Sequence, residues 1–464
     1  MDRDLFLDSS RFDFVSTTDY SYISEKGFDE ELIRQISTKK DEPEWMLRKR
    51  LESFEIFNRS LEPGFGVGTG DLDLSSIVAY LKPGSERNRS WEEVPKEIRE
   101  TFERLGIPEA ERNSLAGVGA QYDSEVVYQN IKKNLEELGI IFLDMETAVK
   151  EYPEYVEKYF MKAVPPSDHK YSALHGAVWS GGSFVYVPKN VSVPLPLQAY
   201  FRMNMASSGQ FEHTLIIADE GSNLQFIEGC SAPRFNELNL HVGMVEIFVL
   251  KGAKVRYSTI QNWSKNTYNL NTKRAIVEED GAMEWISGSL GSMKTMLYPA
   301  TILKGRRARA EHLGITYAGP GQHMDTGSKV IHLAPETSSV VDARSISTGG
   351  GWAFYRGALK ISRQADNAKS SVQCTALMMD NDSRSDTVPI IEVENDSANI
   401  GHEAKIGRIS EEQIFYMMSR GLSEAQARSM IVRGFMEPVS REFPVEYAVE
   451  LNRLIDLEIE SSIG

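Results

Sequence analysis

Hydrophobic spacing changes character twice along the chain. Over residues 1–165 the apolar positions recur mostly at helical intervals. DEELIRQISTKKDEPEWMLRKRLESFEIFNRS predicts helices broken at Pro43, SWEEVPKEIRETFERLGIP another, and DSEVVYQNIKKNLEELGI one that stops at Gly139. GFGVGTGDLDLSS reads as a loop. Over 166–408 helical spacing gives way to short runs of Val, Ile, Thr, Tyr and Phe alternating with Gly, Asn, Asp and Ser, the mark of strands. Over 409–464 helices return. Ser410 with Gln413 and Ser423 with Gln426 form capping boxes, Gly421 and Gly434 are stops, and Pro444 opens the last helix.

The strand-rich middle repeats itself. EGSNLQF, KGAKVRY, DGAMEWI, KGRRARA, ETSSVVD, DNAKSSV and DSANIGH each place a polar turn before an alternating run. Anchored on Gly221, Gly252, Gly281, Gly305, Thr337, Asn367 and Ser397, the units recur at a period of about 30, which predicts a solenoid of stacked coils. A β-sandwich with regular turns is the competing fold. Side chains alternate faces along a strand, so odd offsets from the turn share a face. Offsets three and five are mainly apolar and mark the inward face. His402 falls at offset five, Cys374 at seven, and Cys230 and Gln261 at nine. Glu403, at offset six, points the other way.

Composition narrows the function classes. The chain has 464 residues, a net charge of −16, and only short local basic stretches, such as Lys304–Arg309, that read as solvated turns, so nucleic acid is not an expected partner. No apolar run is long enough to span a membrane, and MDRDLFLDSSRFDF lacks the basic start and apolar stretch of a signal peptide. With two cysteines, Cys230 and Cys374, a disulfide framework is excluded and the cytoplasm is the expected compartment. No glycine-rich loop continues into Lys-Ser or Lys-Thr, so P-loop ATP hydrolysis is not expected of this chain.

Two groups of residues carry candidate chemistry. His402-Glu403 begins like a zinc-protease motif, but Ile406 stands where the second histidine belongs. Cys374, His402 and Glu403 supply thiolate, imidazole and carboxylate, which iron and zinc accept, but they are too few for a closed zinc site. Cys230 lies in FIEGCSAP, with Glu212 nearly one coil before it and Gln261, Trp263 and Lys273 in the coils after. Polar side chains directed into a coil are expensive unless paired, so such a row suits a lined path for a reactive species. Lys273 near Cys230 predicts a thiol of lowered pKa. Ordinary packing of both cysteines, with local hydrogen bonding of their neighbours, is the alternative.

SALHGAVWSGGSFVYVPKNVSVPLPLQAYFRMN, QFEHTLIIADEGSNLQFIEGCSAP, VRYSTIQNW and NIGHEAKIGRISEEQIFYMMSRGLSEAQARSMIVRGF resemble the SufB/SufD family of the SUF iron–sulfur cluster assembly system, on the SufB side, from about residue 20 to the end. The resemblance implies a right-handed parallel β-helix flanked by N- and C-terminal helical domains, and a scaffold role. It implies a SufC ATPase bound at the C-terminal helices and a SufD subunit paired through the β-helix. Sulfur would come from a cysteine desulfurase or a sulfur-transfer protein. By correspondence Cys230 accepts sulfur; Glu212, Gln261, Trp263 and Lys273 line its route; and Cys374, His402 and Glu403 build a transient cluster. Reduced flavin is associated with such complexes. The chain lacks the CxxCxxxC cluster of some relatives, and ALMMDNDSRSDTVP has a SufD-like cast. A SufD-like partner without cluster chemistry, and a second copy in place of SufD, therefore stay open. A β-helix carbohydrate enzyme is disfavoured by the expected compartment.

Overall fold

Recurrence in the sequence becomes stacking in space. In the computed structural model, which describes residues 14–16, 18–85 and 87–463, the middle of the chain winds into a parallel β-helix. One ten-stranded sheet stacks Leu197–Arg202, Asn223–Ser231, Lys254–Trp263, Ala282–Gly291, Arg309–Ala318, Ser338–Ser347, Lys369–Met378 and Asn399–Arg408 in parallel. The facing sheet runs from Ser183–Val187 through His213–Ala218, Met244–Val249 and Thr267–Val277 to His323–His332, Trp352–Ile361 and Arg384–Val393. The N-terminal stretch MDRDLFLDSSRF lies outside the described residues.

Inward side chains stack coil on coil. Phe226, Tyr257 and Trp285 form a ladder with ring centroids 5.4 and 5.3 Å apart. The register differs from the sequence reading in three units. Turn residues in the left-handed region are Gly221, Gly252, Asp280, Arg307, Glu336 and Asn367, so the Gly281, Gly305 and Thr337 anchors are one or two residues off. A one-residue slip exchanges the faces of a strand. Met283 and Ser339 therefore point inward where Glu284 and Val340 were expected. Glu284 instead pairs with Arg256 on the outside, and Val340 is exposed.

Helices cover the outer faces. Lys96–Arg104, Glu424–Ser440 and Val445–Ile463 lie on the ten-stranded sheet, where Ile98, Val432, Leu451 and Ile455 pack with Tyr200, Ile260 and Ile315. The helices Glu30–Lys39, Glu44–Arg59 and Lys170–Val178 lie on the facing sheet. Two helical expectations are corrected. Glu125–Ile131 is a strand, paired antiparallel with Gly117–Tyr122, which itself continues the ten-stranded sheet. Val126, Val127, Tyr128 and Ile131 suit a pleated surface, and the sheet edge supplies hydrogen bonds a helix would have to make alone. The helix after Ser423 runs on through Gly434 to Ser440, because its packed face outweighs the cost of one glycine. Among the described residues no helix is long and apolar enough to cross a membrane.

The β-helix ends bare. Arg384–Val393 and Asn399–Arg408 close the two sheets with no strand beyond them among the described residues, and they expose Val388, Ile390, Ile391, Val393 and Ile406.

Candidate functional site

Cys230 sits near the start of the β-helix, facing inward. Its strand neighbours are Phe201 on one side and Gln261 on the other. Glu228, the preceding inward residue, is buried beneath Lys273, which reaches across from the facing sheet to donate to Glu228 Oε1 at 2.5 Å. The Tyr257 hydroxyl donates to the other carboxylate oxygen, and Thr259 donates at 3.0 Å. Burial opposes ionisation of Glu228, but the Lys273 charge and these hydrogen bonds outweigh it and hold the carboxyl below its ordinary value. Lys273 is thus committed to Glu228. Burial, and then the charges of Glu228 and Glu212, push the Cys230 thiol well above its ordinary range. The lowered thiol expected from Lys273 is therefore corrected: burial and the Glu228 and Glu212 charges outweigh the lysine.

A second buried chain of polar groups runs beside the sulfur. Glu212 Oε1 meets His241 Nε2 at 2.5 Å, His241 Nδ1 meets Asn269 Oδ1 at 2.8 Å, and Asn269 Nδ2 donates to Gln261 Oε1 at 2.7 Å. With Asn269 donating to Gln261, its oxygen is left to accept from His241 Nδ1, and Nε2 faces the Glu212 carboxyl. Trp263 lies against the His241 ring at 4.1 Å between centroids. Gly243 makes this approach possible, since a Cβ there would fall 2.4 Å from Glu212 Oε1. Glu212 Oε2, Gln261 Nε2 and Trp263 Nε1 are buried without a hydrogen-bond partner. Orphaned atoms of this kind line a space suited to a polar guest.

Cys374 lies at the other end of the same sheet, also inward, between Ala343 and Ala404 in neighbouring strands. It lines a cavity with Trp285, His312, Thr326, Ser328 and Tyr355. The Tyr355 hydroxyl bonds Ser328 Oγ at 2.8 Å and also the Cys374 thiol. Burial pushes this thiol up to about 11, against the Tyr355 hydrogen bond. Burial brings His312 down to about 3, so it stays neutral beside Thr301, 2.9 Å from Nε2. Between the two cysteines the interior keeps hydroxyl pairs, among them Thr316 with Thr326 at 3.0 Å.

His402 occupies the inward parity one coil past Cys374, but its direct strand neighbour is Val372, two residues from the cysteine. It lines a separate small cavity with Ser370, Val372, Leu359 and Ile391. Glu403 points outward and pairs with Lys405 at 2.9 Å, both largely exposed. Among the described residues no three His, Cys, Asp or Glu side chains converge as a metal site. The sequence-predicted residues thus form a gathered group around Cys230 and an open group around Cys374.

Sequence reasoning missed Glu228, His241, His312 and Tyr355. Glu228 was legible, since it shares the parity of Cys230 two residues away. His241 alternates with apolar Leu240 and Val242. His312 was legible too, since its offset of seven from Gly305 is that of Cys374 and the two-residue error in that anchor keeps the face. Tyr355 belongs to the facing sheet, whose turns were not among the anchors.

Two family models match. One, described as SUF system FeS cluster assembly, SufBD core domain, covers residues 201–435, and SufBD protein N-terminal region covers 32–199. The chain is 54% identical to an iron–sulfur cluster assembly SufBD family protein of Staphylococcus aureus strain MRSA252, over 441 residues and 95% of each chain. It is 53% identical, over the same length and shares, to one of Staphylococcus saprophyticus.

Proposed function

Because the chain belongs to the SufBD family of iron–sulfur cluster assembly proteins, we propose that it is the SufB-type scaffold, which accepts sulfur at Cys230 and builds a nascent cluster at Cys374. The observation that carries this reading is the placement of both cysteines on the inward parity of one sheet, with ionisable and hydroxyl side chains between them. A donor persulfide, R–S–SH, meets the Cys230 thiol. Its S–S bond breaks, a new S–S bond forms to Cys230, and the thiol proton leaves with R–SH. Glu212, Gln261, Trp263 and Lys273 line the route onward. Reduction of the sulfane sulfur to sulfide takes two electrons, and reduced flavin in the complex is the expected donor. Iron and cluster are cargo, held by Cys374 with His402 and Glu403.

Partners follow from the surfaces. A SufC-type ATPase docks on the C-terminal helices, where Phe415, Tyr416 and Met418 are exposed. SufD or a second copy covers the bare end of the β-helix, and its residues complete the ligand set that this chain leaves open. A cysteine desulfurase or a sulfur-transfer protein supplies the persulfide. The lack of a converging metal group favours a second reading, a SufD-like subunit without cluster chemistry. Anaerobic reconstitution with the ATPase and partner separates the two. The scaffold reading expects bound iron and sulfide in the wild type and loss of both in Cys374→Ala. No bound cluster in the wild type would assign the SufD-like role, and a normal amount of cluster in Cys374→Ala would overturn Cys374 as the building site.

A further inference from the structure

We infer that the end of the last helix is a lid over the port to Cys230, and that a persulfide-bearing segment of the sulfur donor enters where its Asp456–Glu458 segment now lies. The inference rests on Cys230 as sulfur acceptor and adds where the sulfur arrives and what blocks it.

Cys230 has no route outward through its own sheet, since its strand neighbours close it on both sides. Along its strand, however, the next inward residue is Ala232, about 7 Å further on at the ordinary strand rise. Ala232 lines a small cavity with Arg234, Asn262, Trp263, Leu454 and Leu457. The cavity's inner wall is Trp263, the ring that packs on His241 and whose Nε1 lacks a partner. Its outer wall is the helix. The space therefore lies between Trp263, which borders the polar group beside Cys230, and the last helix.

The Asp456–Glu458 segment is held from two directions. Glu458 pairs with Lys265 of the β-helix rim at 2.9 Å. Asp456 accepts hydrogen bonds from Arg433 and Ser429 of the preceding helix, Glu424–Ser440. Earlier in the last helix the grip is apolar. Leu451 lies over Gly288, where a Cβ would approach it to 3.0 Å, and Ile455 is buried beside Ile260. The start of the helix is anchored by packing, whereas Glu458 is tied to the rim by a half-exposed ion pair. A shift of the preceding helix is transmitted through Asp456 and opposed by Lys265. Once Glu458 lifts, Lys265 is released as a cation at the rim, which suits an anionic persulfide on an extended peptide.

The test uses the full chain, N-ethylmaleimide, and Cys374 in the same sample as an internal control. Glu458→Lys sets like charges at the tether, and the expected result is about tenfold faster alkylation of Cys230 with the Cys374 rate unchanged. Lys265→Glu added to Glu458→Lys restores the slow rate. Leu457→Ala opens the lid without a charge and gives a second reading should the reversed pair fold poorly. Equal Cys230 rates in all variants, or both cysteines accelerating together, would overturn the lid. A second arm supplies glutathione persulfide and weighs the Cys230 peptide. Faster sulfur uptake in the open variants supports the port. Faster alkylation without any sulfur uptake would overturn the acceptor role on which the port depends.

Discussion

The two cysteine ends of the β-helix share a sheet, a parity and a raised thiol, yet they are built in opposite ways. Around Cys230 nearly every neighbour is fixed by another: Lys273 by Glu228, His241 by Glu212 and Asn269, Trp263 by His241. Around Cys374 one tyrosine hydroxyl reaches the sulfur, His402 is two residues out of register, and the strands beyond are bare. The first end is closed by its own contacts. The second is open, and the chemistry proposed there needs a second surface. Burial of a thiol is therefore not a measure of completeness. The partners of its neighbours are.

The largest effect that could break this contrast is at the buried pair. Lys273→Met leaves the Glu228 carboxylate without its cation, and denaturant unfolding is expected to show a loss of about 3–5 kcal/mol. Glu228→Gln added to it is expected to recover most of that. A loss below about 1 kcal/mol would mean the Cys230 chamber is no more committed than the open end.

At the Cys374 end the acid response is sharper than the structural one. His312 has a folded pKa of about 3 against about 6.5 when unfolded, so the unfolded chain binds the extra proton between those values. Its contribution to stability is complete above about pH 6.5 and is lost as pH falls toward 3. His312→Gln is expected to flatten the pH dependence of the unfolding free energy across that window.

Tyr355→Phe removes the hydroxyl that favours the Cys374 thiolate. Alkylation of Cys374 at pH 8 is expected to slow severalfold while Cys230 is unaffected, at a stability cost of about 1 kcal/mol. An unchanged Cys374 rate would show that this sulfur lacks even that one committed neighbour. The smallest effect belongs to the exposed Glu403–Lys405 pair. Lys405→Ala is expected to change unfolding by less than about 1 kcal/mol, since both side chains stay hydrated.

Much of this was legible in the chain. The period survived loose anchoring, and the inward parity of Cys230 and Cys374 followed from alternation alone. Misreadings came where chemistry and position part company. Gly281 and Gly305 drew the eye as turn residues, but Asp280 and Arg307 take the left-handed conformations. In VVYQNIKKNLEELGI the helical spacing is real, and a sheet edge elsewhere in the chain decided for a strand. The Glu228–Lys273 pair was beyond reach because alternation tells which side chains enter a coil, not which ones meet across it.

The bare last coil has a consequence for the life of the chain before it meets a partner. Unpaired strand edges with exposed Val, Ile and Leu-type side chains are templates for unwanted pairing. Here the final strands carry countermeasures: Pro389 removes one backbone donor, and Glu392, Glu394, Glu403, Lys405 and Arg408 put charge along both edges. These slow misassociation without capping the stack. Under the assembly proposed above, an orphan subunit is expected to misassociate as its concentration rises, and its supply has to be matched to that of the proposed partner.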